Sequence, residues 1–190
     1  EEIEHFRKSY HLPANFILFL GNTAPKKNTK NVIASYLRYC RWVDHKVPLV
    51  ILDYDKALVE EQLSKSGATD LLEHFLFPGF VPSDQMPLMY NAADLFLYPS
   101  LRESFGLPIL EAMGCGTPVI TSNTSSMPEV GGNAAVYVNP YSVENISKAI
   151  CDTVSNNTRN AELSSKGLQR AKEFSWNRSA KELLSIYEKM

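Results

Sequence analysis

Two carboxylates, Glu103 and Glu111, stand eight positions apart around a Phe105-Gly106-Leu107-Pro108 turn, directly after the apolar run 94–100. Pro108 suits the first position of a helix, where its missing N–H costs nothing and its fixed φ is already helical. A helix from Pro108 to about Cys115 aims its unpaired N–H groups back at the turn, and such an end carries roughly half a positive charge. Gly106 has no side chain to hold a ligand off the backbone. With this start, Glu111 falls in the first turn of the helix and Glu103 in the loop before it. Carboxylates repel phosphates but accept hydrogen bonds from hydroxyls. An anion cradle flanked by two hydroxyl acceptors fits a ligand with phosphates in the middle and sugars at both ends, a nucleotide-sugar. A first-turn glutamate and a connecting turn also occur without any ligand, so the surroundings have to decide.

These groups need a sheet edge to stand on. Short apolar runs alternate with helical patterns along the chain, the signature of a parallel sheet covered on both faces. The runs at 16–21, 49–53, 75–79, 94–98, 118–121 and 135–138 are continuous rather than alternating, as strands buried on both faces are. The expected fold class is α/β, a doubly wound parallel sheet of about six strands with helices on both faces. Val32, Ile33, Tyr36, Leu37 and Cys40 form one apolar helical face between the first two strands. Further helices fit 56–66, 83–91 and 143–154, the last with Ser142 as its cap. Residues 160–190 are helical and polar, broken near 174–177, with an apolar face of Leu183, Leu184 and Tyr187. Lys27 lies in the loop after the first strand, at the carboxyl edge where ligands of such sheets collect. It is the best cation candidate, against the plainer reading of a solvated loop lysine.

The segment Glu103-Ser-Phe-Gly-Leu-Pro-Ile-Leu-Glu111 resembles the E-x(7)-E signature of retaining glycosyltransferases of family 4, which have the two-domain GT-B fold. Phe77-Pro-Gly-Phe-Val-Pro82 and Met89-Tyr-Asn-Ala-Ala-Asp94 resemble the stretch leading into that motif. Glu111-Ala-Met-Gly-Cys-Gly-Thr-Pro-Val-Ile-Thr121 and Met127-Pro-Glu-Val130 resemble the stretch downstream of it. Phe16-Ile-Leu-Phe-Leu-Gly21, with Pro25-Lys-Lys-Asn28 after it, resembles the first strand and phosphate loop. The resemblance runs from about His11 to the end with its order intact, and is nearest to bacterial mannosyltransferases of polysaccharide assembly. It implies that residues 1–190 are one domain, the Rossmann-like C-terminal donor-binding half of a longer enzyme whose N-terminal acceptor domain is absent. The opening 1–13, which lacks a Met, reads like the stretch just before such a domain. The last helix would cross back to the partner domain; packing of its apolar face on the home domain is the other reading.

The same resemblance distributes roles. Lys27 neutralises the donor diphosphate, and Glu103 faces the hydroxyls of the donor sugar; these two carry the catalytic work. Lys26 stands where many relatives have Arg, a point charge without the bidentate fork. Asn22, just after Gly21, stands where other members carry a phosphate-binding Arg, which would leave that contact to Lys26. The N–H groups of Phe105, Gly106 and Leu107 join Glu103 on the sugar and distal phosphate, while Glu111 accepts from the ribose. Such a charge-assisted bond contributes roughly 1.5–3 kcal/mol, so loss of Glu111 weakens nucleotide binding about tenfold or more. Val81 and Phe80 sit where relatives bracket the base, with plain packing as the competing reading for Phe80. The implied reaction is transfer of a hexose, with retention, from a nucleotide-diphosphate sugar to a glycan or lipid-linked acceptor. GDP-mannose stands ahead of UDP-sugars as the donor, and the isolated half is expected to be inactive.

Composition bounds the alternatives. A chain of 190 residues suffices for one well-cored domain, and a net charge of −2 gives no basic field for a nucleic acid. Three cysteines, Cys40, Cys115 and Cys151, are too few and too scattered for a disulfide framework or a zinc site, and suit a reducing compartment. No run approaches the roughly 18–20 apolar residues of a membrane span, and no signal peptide opens the chain. A cytoplasmic protein is expected, with the full-length enzyme visiting the inner membrane face. No metal or cofactor is expected, on the reading that neither an Asp-x-Asp nor a His cluster is there to hold one, His5, His11, His45 and His74 being scattered. Two competing functions are a nucleotide-binding module without activity and a dinucleotide-dependent oxidoreductase. The latter needs G-x-G-x-x-G after the first strand, where this chain has Gly21-Asn-Thr-Ala-Pro-Lys.

Overall fold

All six apolar runs form strands, and the segments between them form helices. The computed structural model describes residues 1–189. Among them are β1 (Ile17–Leu20), β2 (Leu49–Leu52), β3 (Phe75–Leu76), β4 (Leu95–Tyr98), β5 (Val119–Ser122) and β6 (Ala135–Val138). The helices are α1 (Glu2–Ser9), α2 (Thr29–Trp42), α3 (Lys56–Lys65), α4 (Met86–Ala92), α5 (Leu107–Gly114), α6 (Met127–Gly131), α7 (Val143–Val154), α8 (Asn157–Ala171) and α9 (Trp176–Tyr187). Every strand pairing is parallel, in the order β3-β2-β1-β4-β5-β6. The chain winds outward from β1 to β3, returns across the sheet, and winds the other way from β4 to β6. The two halves part between β1 and β4, and a crevice opens there at the carboxyl ends. The doubly wound α/β expectation is borne out.

Alternate side chains of each strand go to opposite faces, and both faces are apolar. Ile17, Phe19, Leu49, Ile51, Leu95 and Leu97 pack against Tyr36 and Ile33 of α2, Leu63 of α3 and Ile150 of α7. Leu18, Val50, Leu52, Phe96, Tyr98 and Val119 pack against Phe6 of α1, Met89 of α4, Met113 of α5 and Val130 of α6. Each such aliphatic or aromatic side chain contributes roughly 1.5–3 kcal/mol by burial. That explains why continuous apolar runs of four residues are enough to define the strands.

Several boundaries differ from expectation, each for a local reason. The run 75–79 pairs only at Phe75 and Leu76, because Pro78 has no N–H for the ladder and Gly79 turns to φ 84. The helix expected at 83–91 begins only at Met86, since Gln85 N–H turns back to Pro82 O at 2.9 Å. Helix α5 begins at Leu107 rather than Pro108, which moves Glu111 into the second turn, away from the N-terminal N–H groups. The opening residues form α1, whose Phe6 is buried and whose Arg7 guanidinium donates to Ala92 O at 2.9 Å. Ser142 caps α7 as expected, accepting from Asn145 N–H at 3.1 Å. Helix α9 has no buried residue, and Leu183, Leu184 and Tyr187 are 50%, 56% and 63% exposed. Packing of that face on the home domain, one of the two readings, is not what forms. No described helix is long and apolar enough to cross a membrane.

Asn28 locks the loops that border the crevice. It sits in the left-handed region at φ 63, a conformation Asn tolerates better than most residues. Its buried side-chain amide donates to Pro99 O at 2.9 Å and Pro140 O at 2.7 Å, tying the loop after β1 to those after β4 and β6. Replacement Asn28→Ala is expected to lower stability by about 2–3 kcal/mol in urea unfolding, with Asn28→Gly recovering only the backbone share. Equal stability of the Ala variant and the wild type would show that this lock is idle.

Candidate donor-binding site

The crevice is walled by the loop after β1 and the loop after β4. Gly21 closes β1 with its N–H on Leu52 O at 2.9 Å, and a Cβ there would come within 3.1 Å of Ile51 and Tyr54. A side chain there would have to push those neighbours back by a few tenths of an ångström. Asn22 uses its side-chain oxygen inside the loop, accepting from Ala24 N–H at 2.9 Å. Only its Nδ2 remains for a ligand, so it does not replace an arginine. A short 3-10 turn, Pro25–Lys27, then lifts Lys26 and Lys27 over the edge of the sheet. Leu101 N–H donates to Lys26 O at 2.8 Å and joins the two loops.

Lys27 and Glu103, predicted separately, meet directly. The Lys27 ammonium is 2.9 Å from Glu103 Oε1, and Lys26 Nζ is 3.5 Å from Oε2. Tyr98, the last residue of β4, completes the cluster: its hydroxyl accepts from Lys27 at 2.6 Å and donates to Glu103 Oε1 at 2.8 Å. The Lys27 ammonium also lies 4.7 Å from the centre of the Tyr98 ring. Two ammonium groups against one carboxylate leave this end of the crevice one unit positive. Burial by itself would raise the Glu103 carboxyl. Hydrogen bonds from Lys27 and Tyr98, with the Lys27 charge, outweigh burial and hold it below the usual carboxylate range.

The turn after Glu103 presents bare backbone. Gly106 caps α5 at φ 104, a conformation that excludes other residues, and the peptide N–H groups of Phe105, Gly106 and Leu107 have no protein acceptor among the described residues. Phe105 and Leu107 are each 42% exposed. These free donors stand at the helix N-terminus, where the backbone dipoles favour an anion.

Glu111 lies further along, on the lip of a cavity of about 540 Å³ lined by Leu20, Leu52, Asp53, Phe80, Val81, Met86 and Tyr90 among others. Its carboxylate accepts from the Tyr90 hydroxyl at 2.9 Å. Each glutamate of the pair is thus held by a buried tyrosine, and both rings pack on Phe96, at 5.3 Å each. Burial, and after it the facing carboxylate, pushes both phenols well above their ordinary range, so they stay protonated and donate. Val81 is buried in the cavity wall, whereas Phe80 is 80% exposed and stands at its rim rather than in the core. Tyr90 and Tyr98 were missed in the sequence because both read as core residues of the run into the motif.

Contrary to the expectation that the chain has no Asp-x-Asp, Asp53-Tyr54-Asp55 follows β2. Asp55 caps α3, accepting from Ala57 N–H at 2.8 Å, and Asp53 lines the cavity from a left-handed backbone at φ 58. Among the described residues no three His, Cys, Asp or Glu side chains gather as a metal would require.

The Glu103 geometry sets a pH dependence. A carboxyl whose folded pKa is depressed stabilises the fold above its unfolded value of about 4.3, and the benefit is lost as the pH falls through the folded value. Glu103→Gln should therefore lose less thermal stability than the wild type between about pH 5 and pH 3. Parallel acid limbs in the two melting profiles would contradict the pairing.

Comparison with known proteins places this geometry. Residues 1–170 match the family described as "Glycosyl transferases group 1". The chain is 34% identical over 177 residues to O-antigen chain mannosyltransferase B of Escherichia coli, an alignment covering 91% of this chain and 45% of that one. It spans less than half the length of the curated relatives it matches. Among solved structures, Anabaena Alr3699/HepE in complex with UDP and glucose superposes with a TM-score of 0.82 at 18% identity, over 100% of this chain and 52% of that one. The C-terminal domain of the group 1 family protein LpcC from Francisella tularensis superposes with a TM-score of 0.72 at 20% identity, over 88% of this chain and 91% of that one. The crevice between β1 and β4, with its paired glutamates, thus lies in the Rossmann-like half of a GT-B fold, and the chain belongs to the group 1 glycosyltransferases.

Proposed function

We propose that this chain is the donor-binding half of a retaining hexosyltransferase whose acceptor-binding N-terminal domain lies in the same protein. One observation carries the reading. A cationic cluster and free backbone N–H groups stand between two tyrosine-held carboxylates, beside a cavity of about 540 Å³. A nucleotide-diphosphate sugar fills such an arrangement end to end. Its nucleoside enters the cavity beside Val81, its ribose hydroxyls donate to Glu111, its phosphates meet Lys27, Lys26 and the N-terminus of α5, and its sugar lies against Glu103. The UDP and glucose of the HepE complex support a donor of this class. The likeness to an O-antigen mannosyltransferase favours a mannosyl donor, and GDP-mannose is the donor we put forward.

In the reaction the bond between the anomeric carbon and the diphosphate breaks, the acceptor oxygen bonds to the same face of the sugar, and the acceptor's hydroxyl proton passes to the departing diphosphate oxygen. Negative charge grows on the departing diphosphate. Fixed positive groups waiting at that point lower the barrier without reorganising. Lys27 supplies one, and the N–H groups of Phe105, Gly106 and Leu107 supply the others. As phosphate arrives, the Lys27 ammonium is shared between it and Glu103, so Glu103 keeps the lysine extended across the crevice. Asn22 contributes at most its amide nitrogen. Protein groups alone meet the charge in this scheme. Transfer needs the acceptor, a glycan or a lipid-linked sugar, which the second domain would hold. The exposed face of α9 is suited to meet that domain. On this reading the full-length enzyme is cytoplasmic and works at the inner face of the membrane.

Calorimetric titration with GDP, UDP and ADP tests the site. One diphosphate is expected to bind saturably, and Lys27→Ala and Glu111→Ala each to weaken it by about tenfold or more. Affinities untouched by both substitutions would remove the assignment.

A further inference from the structure

The turn that bears the free N–H groups is held from behind by two side chains that no role above uses. Ser125 Oγ donates to Glu103 O at 2.8 Å, and Ser126 Oγ lies 2.7 Å from Phe105 O and 3.0 Å from Glu103 O. A hydroxyl has one proton. The Ser125 proton therefore serves Glu103 O, and the Ser126 proton serves Phe105 O, its nearer acceptor. Every peptide bond here is trans, so the carbonyl and N–H of one peptide unit point in opposite directions. Fixing Glu103 O directs the Ser104 N–H, and fixing Phe105 O directs the Gly106 N–H, both away from the serines. Among the described residues neither N–H has a protein acceptor.

The serines are themselves braced. They come after β5 in a tight turn with Ser125 at φ 58, and the Thr124 hydroxyl donates to Leu101 O at 3.2 Å. Ser126 leads into α6, whose last carbonyls, Glu129 O and Val130 O, accept from the Arg170 guanidinium of α8. The clamp is thus built on β5 and α8.

We propose, resting on the donor-site reading above, that Ser125 and Ser126 are positioning residues that aim the Ser104 and Gly106 N–H groups at the distal phosphate. They set how strongly the site prefers a nucleoside diphosphate to the bare nucleoside. Neither serine touches the donor.

The test compares binding of GDP with guanosine, and UDP with uridine, to the 190-residue chain. A C-terminal domain of this family has been solved on its own, so the chain is a suitable sample. The variants are Ser126→Ala, Ser126→Thr and Ser125→Gly, the last chosen because glycine tolerates the left-handed backbone; melting curves check folding. The wild type is expected to prefer the diphosphate. Ser126→Ala and Ser125→Gly should each cut that preference roughly three- to tenfold, with nucleoside binding unchanged, and Ser126→Thr should restore it. Equal weakening of diphosphate and nucleoside would mean a general structural fault and overturn the proposal, as would an unchanged preference in both hydroxyl-less variants. A wild type with no preference for diphosphate would instead overturn the donor-site reading itself.

Discussion

Reversal of the winding direction between β1 and β4 is the constraint on which the rest of the molecule depends. The two strands are paired in register, Ile17 with Leu95 and Leu18 with Phe96, so their carboxyl ends finish side by side. The loops that leave them cannot cross one another and must diverge, and the space between is walled by whatever those loops carry. Here they carry Lys27 from one side and Glu103 from the other, with Tyr98 at the end of β4 bridging them. The ion pair is a consequence of topology: 76 residues separate its partners in sequence. Asn28 and Leu101 then fix the distance between the loops through backbone carbonyls, independently of any ligand.

The second organising feature is aromatic. Phe96 meets Tyr90 edge to face and stacks on Tyr98, and the outer two rings each hold one glutamate of the motif. Carboxylates in the crevice would ordinarily repel an anionic ligand such as the proposed donor. Hydrogen bonds from buried phenols, and in one case two lysines, spread that charge and keep each carboxylate facing its own end. The arrangement separates the Glu111 end from the Glu103 end, and the proposed donor would lay its nucleoside at the first and its sugar at the second.

Much of this was legible in the residues. The strands were, because burial on both faces requires unbroken apolar runs, and the position of Lys27 could be read from the loop it occupies. The features that could not be read were set by tertiary packing. Glu111 slid from the first turn to the second because α5 starts one residue earlier than Pro108 suggested. The β3 strand was overestimated because the pattern counts apolar residues but not the missing N–H of Pro78. Tyr90 and Tyr98 look like core residues in a linear pattern, and only the fold shows that their hydroxyls emerge at the crevice. Phe80 looks the same and lies outside. The serine clamp after β5 was invisible because its partners are backbone carbonyls, which leave no trace in side-chain chemistry. The apolar face of α9 was visible in the pattern but its partner was not, and the helix leaves that face exposed.

The central claim is that one ligand spans the carboxyl edge of the sheet, from the cavity beside Val81 to the turn at Gly106. Amide chemical-shift mapping during titration with a nucleoside diphosphate addresses it most directly. The amides of Lys27, Val81, Gly106 and Leu107 are expected to move together along one saturation curve. Shifts confined to α8 and α9, or to the amino edge of the sheet, would contradict it.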